Sequence, residues 1–338
     1  MRQKYFYSLF FTVFFSACVN EGTIEKNSGS DADLSLFKHQ WYLQNTAQSA
    51  GAQNAGSAGE DINVVDVWQE YQGRGVKVAV VDTGIELGHY DLKDNIDTAL
   101  SYRYSDKSND PSPDEEQLKD SQINSSHGTS CAGIIAAVGD NNLGIKGVAP
   151  QATLVGLNAF SDSTIENFAD ALYNKNRPID VSSNSWNDWI ASIQDDDPEI
   201  IAIKNGITSG RDGKGIVYVF AAGNDREDYY NSNWNRELNN PFVITVASLN
   251  ANGKYSSYSN FGANILISGY GGEFGDIDPA IVTTDLLGDN GADSLNPNTR
   301  EYQTHFETDG NEYADFTNTM NGTSAAAPMI AGVTALVL

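Results

Sequence analysis

Short apolar runs separated by longer mixed segments set the pattern of this chain. Residues 76–81, 153–157, 179–182, 216–221 and 242–247 carry apolar side chains with little polar alternation. Strands read this way when both faces of their sheet are covered. Residues 130–138, 163–173 and 198–209 have helical spacing. Residues 61–71 also read as a helix, with Val64, Val67, Trp68 and Tyr71 on one face. Strands alternating with helices predict an α/β architecture, a mostly parallel central sheet flanked by helices and joined by right-handed crossovers. Sites in such sheets form beyond the carboxyl ends of strands, where Asp82 and Asn224 fall.

Composition narrows the function. The chain has 338 residues, 31 glycines but only 9 prolines, and a formal net charge of −25. Phosphate binding needs a basic face, so nucleic acid is excluded as a partner, and a polybasic membrane contact is excluded likewise. Two cysteines, Cys18 and Cys131, rule out a disulfide framework as the main stabiliser. Acidic stretches at 106–120 and 285–315 read as solvated loops, or as a rim that shapes access to a site.

The first residues read as an address. Arg2 and Lys4 precede an apolar run over 5–15, then Ser16-Ala17-Cys18. That run is too short to span a bilayer and has the layout of a secretory signal. A cysteine after Ser-Ala resembles a bacterial lipoprotein signal with Cys18 as the lipidated residue. The expected organisation is a signal peptide over 1–17, a polar tether over 18–32 and a folded domain over 33–338. The protein is then exported and lipid-anchored in the bacterial cell envelope, at the outer membrane or cell surface.

Three segments carry chemistry: Val78-Ala-Val-Val-Asp82-Thr-Gly-Ile, His127-Gly-Thr-Ser-Cys-Ala-Gly and Asn321-Gly-Thr-Ser324-Ala-Ala-Ala-Pro. They supply a carboxylate, an imidazole and a hydroxyl. A serine hydroxyl becomes a nucleophile only beside a base, and the base needs a third group to fix its tautomer. Singly, Asp82 reads as a strand-end cap, His127 as a helix-start residue and Ser324 as an N-cap. Together with Ala221-Ala-Gly-Asn224, the set resembles the subtilisin-like serine proteases. Gln40-Trp-Tyr-Leu, Asp61-Ile-Asn-Val, the 216–224 segment, Ile281-Val-Thr-Thr-Asp and Cys131 are similar to the kexin and proprotein-convertase branch. The resemblance covers roughly 33–338.

This resemblance implies a three-layer subtilisin-like fold and a serine endopeptidase acting on peptide or protein substrates. Asp82, His127 and Ser324 form its catalytic triad. The Asn224 amide and the Ser324 N–H bind the oxyanion, and Ser185, Trp186 and Asn187 line the substrate cleft. It also implies structural calcium held by Asp91, Asn141, the Leu143 and Ile145 carbonyls and Asp33, oxygen donors that suit a hard cation. Cys131 reads as a buried packing thiol. The chain stops within the helix after Ser324, where relatives continue, and no folded propeptide fits between Cys18 and Asp33. Members of the branch that cleave after paired basic residues carry acids where this chain has Thr83 and Asn124, so dibasic specificity is not supported. Two alternatives stay open: a catalytically silent scaffold on the same fold, and an acyl transferase or cyclase using the same triad.

Overall fold

A computed structural model describes residues 34–120, 123–187, 197–292 and 314–338. The segments read as signal peptide and tether, with Cys18 and Asp33, lie outside the described residues. Residues 33–338 cluster as one compact unit. Its strands, in chain order, are β1 (Leu34–Ser35), β2 (Lys77–Asp82), β3 (Tyr102–Arg103), β4 (Leu143–Gly144), β5 (Thr153–Asn158), β6 (Val181–Asn184), β7 (Val217–Ala221), β8 (Val243–Leu249), β9 (Ile265–Tyr270), β10 (Ile281–Thr284) and β11 (Phe316–Met320). Its α-helices are α1 (Glu115–Lys119), α2 (His127–Ala136), α3 (Ile165–Leu172), α4 (Pro198–Ser209) and α5 (Thr323–Val337).

Seven strands form one sheet in the order β3-β5-β2-β6-β7-β8-β9, parallel throughout. Successive side chains of a strand point to opposite faces, and β2 shows why its sequence does not alternate. Val78 and Val80 join a core shared with α2 and α5, whereas Ala79 and Val81 join one shared with α3 and α4. Both faces are dry, so both sets of positions are apolar. Strand order reverses around β2, which lies between β5 and β6. A crevice opens beyond the strand ends at such a reversal, and Asp82 is the last residue of β2.

One expected element differs. Residues 61–71 form only a short 3-10 turn at Val67–Gln69. Asp61 accepts a bond from the Asn63 N–H at 2.7 Å, and Asn63 has a φ of 54°. This local side-chain bond competes with helix nucleation. Val64 and Trp68 still reach the core, while Tyr71 is 57% exposed.

Candidate active site

Asp82 and His127 meet because β2 ends where α2 begins. His127 is the first residue of α2. Its Nδ1 donates to Asp82 Oδ1 at 2.7 Å, and the Thr83 N–H donates to the same oxygen at 2.7 Å. With Nδ1 carrying the proton, Nε2 is left as the basic nitrogen. Only 3% of the Asp82 side chain is exposed, against 20% for His127. Burial disfavours the imidazolium, but the adjacent carboxylate outweighs it and holds His127 well above its usual pKa.

Close approach of the two elements depends on Gly128. A Cβ there would lie 2.2 Å from the Gly84 carbonyl and 3.0 Å from the Asp82 Cβ, so His-Gly is a packing requirement as well as a motif. Three threonines, whose part the sequence did not reveal, hold α2 in place. Thr83 Oγ1 accepts from the Gly128 N–H. Thr283 Oγ1 donates to the Ser130 carbonyl and Thr284 Oγ1 to the Thr129 carbonyl, each at 2.7 Å. Gln117 also escaped notice, although Asp114-x-x-Gln117 is a capping-box signature and the box forms. Buried Gln117 ties the 106–120 stretch to the Thr83 carbonyl and to Asn158.

Ser324 is the second residue of α5, which starts after Gly322 at a φ of 96°. A helix start presents unpaired N–H groups and favours negative charge. Asn224, after β7, turns its Oδ1 to two donors of Thr323, the N–H at 2.8 Å and Oγ1 at 3.0 Å. That pairing fixes the amide and leaves Nδ2 as the donor facing away from Thr323. His127, Asn224 and Ser324 line a single cleft of about 250 Å³. Among the described residues no hydrogen bond joins His127 Nε2 to Ser324 Oγ. The hydroxyl donates to the Ser185 carbonyl at 3.2 Å.

Ser185 returns a bond to the Ser324 carbonyl at 2.9 Å. Trp186 donates through Nε1 to the Val81 carbonyl at 2.9 Å and lines a second cavity that includes Asp82 and shares Asn124 and His127 with the first. Asn187 lies beside the Gly223 turn, with its amide 3.0 Å from where a Gly223 Cβ would sit. Cys131 is wholly buried, with Sγ 3.9 Å from His127 Nδ1. Burial pushes its thiol pKa up, so it is no ready nucleophile.

The residues expected to hold calcium form a separate group. Asp91 is fully buried, and its carboxylate accepts from Asn141 Nδ2 at 3.0 Å and the Ile145 N–H at 2.9 Å. Asn141 Oδ1 receives the Leu143 N–H at 3.0 Å. Ile145 thus meets Asp91 through its N–H. Gly144 closes the loop at a φ of 53°, and a Cβ there would fall 2.4 Å from Asp91 Oδ2. Among the described residues no cationic side chain neutralises Asp91, and burial raises its pKa to about 7. Asp91 faces the Asn141 amide nitrogen and the Ile145 N–H, while Asn141 Oδ1 is turned to the Leu143 N–H. A buried carboxylate with no cationic side chain beside it among the described residues suits a hard cation, and the Asn141 amide must turn over to add its oxygen.

Comparison with known proteins finds serine proteases and proprotein convertases among the relatives of this chain. The extracellular serine protease of Aeromonas sobria is 34% identical over 90% of this chain and 51% of its own length. Human neuroendocrine convertase 2 is 32% identical over 90% of this chain and 43% of its own. The solved Aeromonas sobria serine protease, in complex with its chaperone, superposes with a TM-score of 0.78 at 32% identity, over 92% of this chain and 57% of that one. The chain therefore spans about half the length of the curated relatives it matches. Subtilases commonly bind structural calcium. With its parallel sheet, its paired Asp82 and His127 and a subtilase family model matching residues 73–338, this chain belongs to the subtilase family of serine proteases.

Proposed function

We propose that this chain is a serine endopeptidase that hydrolyses peptide bonds through an acyl-enzyme. The observation that carries the reading is the 2.7 Å bond from His127 to Asp82, with Ser324 and Asn224 in the cleft that His127 lines. Ser324 Oγ leaves the Ser185 carbonyl, gives its proton to His127 Nε2 and attacks the substrate carbonyl. Asp82 holds the tautomer and stabilises the imidazolium. Asn224 Nδ2 and the Ser324 N–H receive the oxyanion, and His127 then protonates the leaving amine. Water repeats the sequence on the acyl-enzyme and frees Ser324. Ser185, Trp186 and Asn187 flank an extended substrate. Labelling with a small fluorophosphonate tests this: the natural chain is labelled, and Ser324→Ala is not. An unlabelled natural chain contradicts the proposal.

Calcium belongs to the same reading as a structural ion. Asp91, Asn141 and the carbonyls of Leu143 and Ile145 would hold it, with Asp33, outside the described residues, as the further donor that the family resemblance implies. When bound, it supplies positive charge that neutralises Asp91. Asn141 and Gly144 orient the loop around that carboxylate, and hydrogen-bonded β1 and β4 fasten the loop to the start of the domain. Export with lipidation at Cys18 is supported by the 1–18 sequence and by the extracellular location in the name of the Aeromonas relative.

A further inference from the structure

Asn224 and Ser324 reach the cleft from elements distant in sequence, and one short segment holds both. That segment, Tyr258-Ser259-Asn260, follows β8. The Ser248 N–H of β8 donates to Ser259 Oγ at 2.9 Å and ties the segment to the sheet. Tyr258 and Asn260 are both buried, and each serves a different donor of the oxyanion.

Tyr258 serves the Ser324 side. Its hydroxyl oxygen accepts the Gly322 N–H at 2.8 Å. Its proton is shared between the Gly271 and Gly272 carbonyls, at 2.9 and 2.7 Å. Burial raises its pKa, so the phenol stays neutral and can both donate and accept. Gly322 is the N-cap of α5, at a φ of 96°, and has no side chain to fasten the helix start. Its carbonyl accepts the Ala325 N–H at 3.0 Å. Glycine has wide conformational freedom, so this cap needs a hold from outside, which the Tyr258 hydroxyl supplies. A rotation of Gly322 would carry the Ser324 N–H with it.

Asn260 serves the Asn224 side. Its Oδ1 accepts the Asp225 N–H at 2.7 Å, and its Nδ2 donates to the Ala222 carbonyl at 3.1 Å. Its own N–H donates to the Gly223 carbonyl at 2.9 Å. These three bonds straddle Asn224. The fit is close, since a Cβ on Gly223 would lie 2.4 Å from Asn260 Nδ2. Oxyanion donors act through spacing fixed before the reaction, and here one piece of backbone links the two.

We infer that Tyr258 and Asn260 are positioning residues for the proposed hydrolysis, which set the spacing of the Asn224 amide and the Ser324 N–H and act through those groups. The inference rests on the peptidase reading above and deepens it by naming what aligns the oxyanion donors. A misplacement of about 1 Å costs on the order of 10²-fold in rate.

The test is steady-state hydrolysis of a peptide ester by Tyr258→Phe and Asn260→Ala, with active sites counted by fluorophosphonate labelling carried to completion. Tyr258→Phe keeps the ring, which packs edge-on against Phe274 at 5.7 Å. Each variant should lose about 10–100-fold in kcat per labelled site with KM little changed. Each should also bind a peptide aldehyde more weakly by the same factor, because the hemiacetal oxygen enters the same site. Either change made on top of Asn224→Ala should cost less than it costs alone. In the natural chain the Gly322 and Asp225 amides should resist hydrogen exchange, a result that does not depend on any variant folding. Unaltered kcat per labelled site, a change in KM alone, a loss that multiplies in full with that of Asn224→Ala, or rapid exchange of either amide overturns the inference and leaves the peptidase reading standing. A natural chain that neither labels nor hydrolyses the ester overturns both.

Discussion

Asn224 shows how a single amide is committed before any substrate arrives. Its oxygen is taken by two donors of Thr323, so its nitrogen needs no reorganisation to meet a developing oxyanion. Asn224→Ala is therefore expected to lower kcat by about 10²–10³ with KM little changed, read in steady-state hydrolysis of a peptide ester. An equal rise in KM with unaltered kcat would place Asn224 in ground-state binding instead. His127 yields the second expectation. Asp82 holds its pKa above the usual value of about 6.5. A histidine raised in this way adds stability that is complete below its unfolded pKa and is lost as pH climbs through the folded one. The base must be neutral to act, so activity appears over the same range in which that stability is given up. The acid limb of kcat/KM should lie above pH 6.5. NMR titration of the imidazole should show its pKa falling in Asp82→Asn. A limb at or below 6.5, or an unmoved titration, would contradict the account.

The loop holding Asp91 makes the calcium proposal testable. Adding calcium to chelator-treated protein should raise Tm. Ligand at about a hundred times its Kd stabilises by about 2.7 kcal/mol. Asp91→Asn should remove most of the calcium-dependent increment, and an increment unchanged in that variant would move the ion elsewhere. What could be read from the sequence also differs element by element. The five central strands and α4 were legible because burial on both faces leaves uninterrupted apolar runs, and Pro198 marks the start of α4. Strand β9 was not: it lies at the sheet edge, and Leu266 is 75% exposed. Strands β10 and β11 were missed because polar residues, mostly threonine, break their short apolar runs. The β10 hydroxyls of Thr283 and Thr284 clamp α2, and those of Thr317 and Thr319 in β11 bond each other. Asp82, His127, Ser324 and Asn224 were legible through their flanking glycines and alanines, which the close packing of β2, α2 and α5 requires. The supporting threonines and Gln117 were not, because their partners are distant in sequence and only the fold brings them together.

Taken as one molecule, the chain joins an acidic, glycine-rich domain to an N-terminal sequence read as a lipoprotein signal. Among the described residues no helix is long and apolar enough to cross a membrane, and anchoring is proposed through Cys18 alone. Growth with a palmitate analogue should label the protein, and Cys18→Ser should abolish the label. Equal labelling of both would dispose of the anchor. The large negative charge, −25 over the whole sequence, is a property of solubility and encounter rather than of the chemistry. The proposed chemistry requires Ser324 to turn from the Ser185 carbonyl to His127 within one cleft. The crystal structure of the protein after fluorophosphonate treatment examines this most directly. The account predicts a bond from Ser324 Oγ to phosphorus, with the phosphoryl oxygen held by Asn224 Nδ2 and the Ser324 N–H. An adduct on any other residue, or a bound oxygen turned away from Asn224, would contradict it.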